Sequence, residues 1–180
     1  LYMSPTGLEL NRGDSAVINV RLDVNDGECI NVVDGVLQYS DTIEVVDISR
    51  GDSILSMWVE DPVINRDDRT ITFAGGVPNG YCGRIIGDPR LTNNILNIVV
   101  ASPGFVIGGS GASDATSTAR IRFADATQVF LNDGSGTRAD LVAYGTEIVL
   151  NPKAGQEIAN EWQQQVLNDT TPPNAFSINL

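Results

Sequence analysis

Apolar and polar residues alternate with a period of two along most of this chain, and that pattern restricts it to half-buried β-strands. In the segment Ser15 to Val24, the residues Ile18, Val20, Leu22 and Val24 fall on one face. Val17, Asn19, Arg21 and Asp23 fall on the other. Strand-like runs follow at Val32 to Ser40, Ile43 to Ser49, Ser53 to Val59, Arg69 to Gly75, Asn94 to Ser102, Thr116 to Asp125, Gln128 to Leu131 and Glu147 to Leu150. The opening Leu1 to Pro5 reads as a strand entering a turn. Turn chemistry separates the runs at Asn25-Asp26-Gly27, Asn65-Arg66-Asp67-Asp68, Gly75-Gly76 and Asn132-Asp133-Gly134. Short strands with regular turns and almost no helix predict an all-β sandwich.

One helix is expected near the end, within residues 152–169. From about Gly155 to Asn168 the period changes to 3.6, and Ile158, Trp162 and Val166 form one apolar stripe. The Pro172-Pro173 pair stops it. Residues 170–180 then read as a linker and the start of a strand. That strand belongs either to a further domain or to this domain's own sheet.

Charge and residue content exclude several functions. There are 23 acidic and 11 basic residues, a net charge of −12, and no histidine. An acidic surface repels phosphate backbones, which argues against nucleic acid and anionic membranes as partners. The longest apolar run is too short and too broken to span a bilayer. Without histidine, Ser-His-Asp and Cys-His nucleophile systems and the common catalytic zinc sites cannot form. The adjacent carboxylates Glu60-Asp61 and Asp67-Asp68 read as solvated charge, since neighbours on a strand point to opposite faces. No catalytic residue, metal ligand or cofactor is expected.

The motifs that remain are weak. The glycine-rich stretch from Gly104 to Thr118 lacks the lysine and helix of a phosphate-binding loop. Arg-Gly-Asp-Ser occurs at Arg12 to Ser15 and Arg50 to Ser53, in each case where ordinary turn chemistry is expected. Asn132 to Thr137 has calcium-type ligands but no later bidentate glutamate, so a hairpin turn is favoured over structural calcium. Trp58, Tyr81 and Trp162 could stack on a sugar ring, with core packing as the plainer reading. Cys29 and Cys82 sit beside glycines in expected loops. In an oxidising compartment they would form one disulfide, stabilising by roughly 4 kcal/mol through loop closure; two free thiols are the alternative.

Several segments together resemble a cohesin domain, the receptor module of cellulosome scaffolds. Val33-Asp34-Gly35-Val36-Leu37-Gln38-Tyr39-Ser40-Asp41, followed by Ile43 to Ser49, is similar to the family's strand ending in Tyr-Asp and its Leu-Glu-Val-Val continuation. Ile71 to Gly76, Asn94 to Ala101 and Val129 to Gly134 resemble later family strands. The similarity covers residues 1–151. Cys29, Cys82, the stretch Arg84 to Thr92 and the terminal helix depart from the family pattern.

The resemblance implies a two-sheet jelly-roll β-sandwich of about nine strands. It implies a non-catalytic binding or scaffolding module, extracellular or on a bacterial cell surface. One sheet face would dock a protein partner, a calcium-loaded dockerin or another surface module. Carried onto this chain, the outward positions are Asp34, Val36, Gln38, Thr70, Thr72, Asn97 and Val99. The inward set is Val33, Leu37, Tyr39, Ile71, Phe73, Leu96, Ile98 and Val100. A carbohydrate-binding module, recognising polysaccharide on the same sandwich, and a passive structural repeat are the alternatives.

Overall fold

A computed structural model describes residues 1–84, 93–103 and 116–151. The expected C-terminal helix, Trp162, the linker at 170–180 and most of the glycine-rich stretch lie outside the described residues. Within them the chain forms strands β1 (Tyr2–Ser4), β2 (Gly7–Asn11), β3 (Ser15–Arg21), β4 (Ile30–Tyr39), β5 (Glu44–Ser49), β6 (Met57–Asn65), β7 (Thr70–Tyr81), β8 (Asn94–Ala101), β9 (Ser117–Phe123), β10 (Gln128–Leu131) and β11 (Thr146–Asn151).

Two sheets form the expected sandwich. One has the order β1-β3-β8-β5; the other has the order β2-β11-β9-β4-β7-β6, with β10 also paired to β4. The strand count exceeds nine partly because the opening strand is split. The chain turns at Pro5, sending Tyr2–Ser4 to one sheet and Gly7–Asn11 to the other.

Alternation builds the core. Ile18 and Val20 from β3, Val45 from β5, and Leu96, Ile98 and Val100 from β8 are fully buried. They share one cluster with Val33 and Leu37 of β4, Ile71 and Phe73 of β7, Ile121 of β9, and Ile148 and Leu150 of β11. Each such side chain contributes about 1.5–3 kcal/mol by leaving water. All eight expected inward residues are buried.

Three local expectations need correction. Ser53 to Val59 is not a strand; the strand starts at Met57 and runs to Asn65. The run Glu60-Asp61-Pro62 obscures it, yet β6 is an edge strand with register shifts, where a missing proline N–H is harmless. The strand from Ser15 ends at Arg21, short of Val24. Gly75-Gly76 is no turn: both residues lie inside β7. A Cβ on Gly75 would sit 2.9 Å from the Met57 carbonyl oxygen, and one on Gly76 would sit 3.0 Å from that of Asn31. Close backbone approach explains this glycine pair. The turns at Asn25 to Gly27 and Asn65 to Asp68 form as expected.

The β4–β7 ladder is held at two points. At its centre Gly35 lies opposite Phe73. A Cβ on Gly35 would come within 2.2 Å of the Phe73 ring, which fills that space. At its end Ile30 pairs with Tyr81, and the next residues along, Cys29 and Cys82, form a disulfide. Between these points Val77, Pro78, Asn79 and Gly80 bulge out opposite Asn31. Asn132 braces the bulge, its backbone N–H donating to the Cys29 carbonyl at 2.8 Å and its Nδ2 to the Asn79 carbonyl at 3.3 Å.

Overpacking predicts that Gly35→Ala lowers stability by about 1–3 kcal/mol, read from the urea midpoint, and that adding Phe73→Leu recovers part of the loss. Iodoacetamide should label neither cysteine before reduction. The Cys29→Ser/Cys82→Ser double variant should lose roughly 4 kcal/mol by the loop-closure argument.

Candidate partner-binding face

The outer surface of the larger sheet presents rows of side chains that cross strands β9 or β10, β4, β7 and β6. Cross-strand partners point to the same side, so the register fixes the rows. In the first, Arg122, Gln38, Thr70 and Asn65 are successive partners. Val36, Thr72 and Val63 form the second. Gln128, Asp34, Ala74 and Glu60 form the third. The fourth is Phe130, Val32, Gly76 and Met57. Two apolar rows therefore alternate with two polar ones.

The apolar rows open to solvent at the β6 edge. Met57 is 55% and Val63 51% exposed, and Val59, at a register shift of the same edge strand, reaches 84%. The polar groups of the face, including Thr72 between the two valines, are partly self-satisfied. Thr72 Oγ1 donates to Glu60 Oε1 at 2.7 Å, and Arg122 Nη2 donates to Gln38 Oε1 at 2.7 Å. Asp34 lies opposite Ala74, the row partner of Glu60, and is partly exposed. Val36 occupies the gap between β9 and β10. There the Thr127 hydroxyl accepts from its N–H at 3.1 Å and donates to its carbonyl at 2.9 Å, replacing missing ladder bonds.

The seven expected site residues do not share one surface. Asp34, Val36, Gln38, Thr70 and Thr72 lie together on the face just described. Asn97 and Val99 point outward as expected, but from β8, which belongs to the other sheet. Alternation fixes which side of a strand faces out; it does not say which sheet the strand joins. Asn97 is also engaged internally. Its Oδ1 accepts from Asn19 and Asn94, and its Nδ2 donates to the Gly51 carbonyl at 3.2 Å. Met57, Glu60, Val63, Phe130 and Arg122 join the face instead. The sequence signal for the first three was a strand continuing through Pro62.

The remaining motifs resolve simply. Arg50 of the second Arg-Gly-Asp-Ser pairs with Asp61 and lies 5.4 Å above the Trp58 ring, so that turn is tied to the frame. Trp58 is half-buried, with its ring 6.4 Å from that of Phe73. Asn132 to Thr137 folds back as a turn, bringing Arg138 opposite Phe130. Asp133 Oδ1 accepts from the Ser135 N–H at 2.8 Å. Hydrogen bonds from Thr137 and Ser135 hold its carboxyl below the usual range. Among the described residues, no group of three or more His, Cys, Asp or Glu could hold a metal. No helix among them is long and apolar enough to cross a membrane.

Solved structures of the same architecture are cohesin modules. The cohesin of a type I cohesin–dockerin complex from Clostridium thermocellum superposes with a TM-score of 0.63 at 16% identity, covering 81% of this chain and 90% of that one. A non-cellulosomal cohesin from the archaeon Archaeoglobus fulgidus gives 0.59 at 12% identity, covering 89% and 94%. The sixth cohesin of scaffoldin B from Acetivibrio cellulolyticus, in complex with a Cel5 dockerin, gives 0.56 at 16% identity, covering 84% and 96%. The sequence matches no protein-family model and no curated protein. The fold is the cohesin fold, as the resemblance implied.

Tyr81 supplies a spectroscopic check on this geometry. Its side chain is buried, and desolvation, with the Asp23 charge nearby, pushes its hydroxyl up to about 12. The folded state thus keeps a proton that the unfolded state loses near pH 10, so stability should fall as pH rises between those values. Absorbance at 295 nm should show one tyrosine ionising near pH 12, and Tyr81→Phe should remove that phase.

Proposed function

We propose that this domain is a non-catalytic receptor module that binds a dockerin-like protein through the outer face of β9, β4, β7 and β6. One observation carries the reading: two rows with apolar side chains cross this face, ending in the exposed Met57 and Val63 and separated by a row holding Asp34 and Glu60. Exposed apolar side chains within a polar surround suit a modest protein interface, with the apolar residues as anchors and the charges setting orientation. Solved cohesins of this fold were captured with dockerins bound, which supports the same class of partner here. A disulfide in the frame supports an extracellular or cell-surface setting, since such bonds persist where thiols are not kept reduced. Arginine or lysine on the partner would complement Asp34 and Glu60.

Immobilised calcium-loaded dockerin modules test the assignment. Met57→Asp and Val63→Asp place charges on exposed positions and should each weaken capture at least roughly tenfold. Val17→Asp, at an exposed position on the opposite sheet, should leave capture unchanged. Capture that survives the first two changes and fails with the third would move the interface to the other layer. Silence across the panel would remove dockerins as the partner class.

A further inference from the structure

Sulfur chemistry singles out one position on the candidate face. The chain has two methionines and two cysteines, and all of them lie within the described residues. Cys29 and Cys82 are consumed in the disulfide, and no free thiol remains. Met3 belongs to the core and is 0% exposed. Met57 is 55% exposed. Met57 therefore carries the one sulfur that is both unpaired and open to water.

Its place in the sheet keeps it open. Met57 begins β6, the edge strand of the larger sheet, and no described strand lies beyond it. Its cross-strand partner is Gly76, which has no side chain to cover it. Past Gly76 the row continues to Val32 and Phe130, both partly buried. The thioether thus ends an otherwise hydrocarbon row. Such a group is soft and adaptable, which suits contact with a partner. Oxidation makes it a polar sulfoxide, a change that disrupts interfaces built on methionine.

We infer that Met57 is an oxidation site, the one sulfur of the native chain that a hydroperoxide reaches, and that its sulfoxide weakens docking at this face. The effect on docking rests on the proposed dockerin interface; the oxidation itself does not. In the step, a lone pair of the thioether attacks the peroxide O–O bond. An S–O bond forms and the O–O bond breaks. The departing hydroxide takes the proton left on the sulfoxide oxygen and leaves as water. Sulfur is oxidised by loss of an electron pair, and the peroxide is reduced by gaining it. The reaction needs no neighbouring base, so exposure decides which methionine reacts. Docking would then have to desolvate a polar oxygen where it had buried hydrocarbon and sulfur.

Hydrogen peroxide, applied to the chain alone and removed before analysis, tests both parts. Peptide mapping of the folded chain should find sulfoxide forming on Met57 at least roughly tenfold faster than on Met3, which reacts only when the core opens. In guanidinium the two should react alike. Capture by immobilised calcium-loaded dockerins should fall at least roughly tenfold for the oxidised chain, the effect of losing one apolar anchor. Met57→Leu, whatever its own starting level, should lose nothing further to peroxide. Equal rates at the two methionines in the folded chain overturn the oxidation site. Undiminished capture by the oxidised chain, or a like fall in Met57→Leu, overturns its effect on docking. If the untreated chain captures no dockerin, the docking reading has failed, and the effect on docking with it, while the peptide map still decides the oxidation site.

Discussion

The pairing of β4 with β7 is the constraint on which the rest of this structure depends. β4 is bonded along one side to β7 and along the other to β9 and β10 in succession. Its inward residues Val33, Leu37 and Tyr39 enter the core, and its outward residues Asp34, Val36 and Gln38 form the middle of the candidate face. A slip of one residue would exchange the two sets, burying a carboxylate and exposing the core. Phe73 over Gly35 permits one register, because only glycine leaves room for the ring. Beyond the bulge at Val77 to Gly80, the disulfide prevents the ladder end from fraying. Core and surface are therefore specified by the same few contacts.

How much of this was legible depended on the kind of signal. The inward set was readable because each strand carries its own record of which side is dry: Leu96, Ile98 and Val100 alternate whatever strand lies beside them. Sheet membership was not, because no pattern within Asn94 to Ala101 says whether its neighbours are β4 and β7 or β3 and β5. The family resemblance places Asn97 and Val99 on the face with Asp34, and nothing in the alternation opposes that placement, yet β8 belongs to the opposite layer. The extent of β6 was obscured for another reason. Glu60, Asp61 and Pro62 look like a loop, but an edge strand tolerates all of them, and charges or proline there discourage edge-to-edge pairing. Gly75-Gly76 looked like a turn because the sequence records missing side chains and not the carbonyls that occupy their place. The cysteines lay far apart along the chain, and only the register of Ile30 with Tyr81 shows them to be neighbours.

The two layers differ in how their outer polar groups are used, and that difference favours the larger sheet as the proposed interface. On the four-stranded sheet, Asn19, Asn94 and Asn97 bond to one another and to the Gly51 carbonyl, tying the turn at Arg50 to Ser53 onto the sheet. Amides so engaged would have to break existing bonds to meet a partner. On the larger sheet, Thr72 and Gln38 each hold one bond at the surface, while Met57 and Val63 remain in water. Burying those apolar groups gains free energy without undoing any internal contact.

A frame of this kind also keeps its two surfaces independent. Val20, Leu96 and Ile98 on one sheet and Leu37, Ile71, Phe73 and Ile121 on the other are essentially without solvent contact. Close-packed interiors deform little, and energetic coupling between distant sites requires an element with two discrete arrangements. The bulge in the β4–β7 ladder is held by Asn132 and closed off by the disulfide. Occupying the face around Val63 should therefore leave the outer side of the four-stranded sheet unchanged. A rigid core of this kind lets the two outer layers act independently, which is the behaviour expected of a physical link rather than a switch.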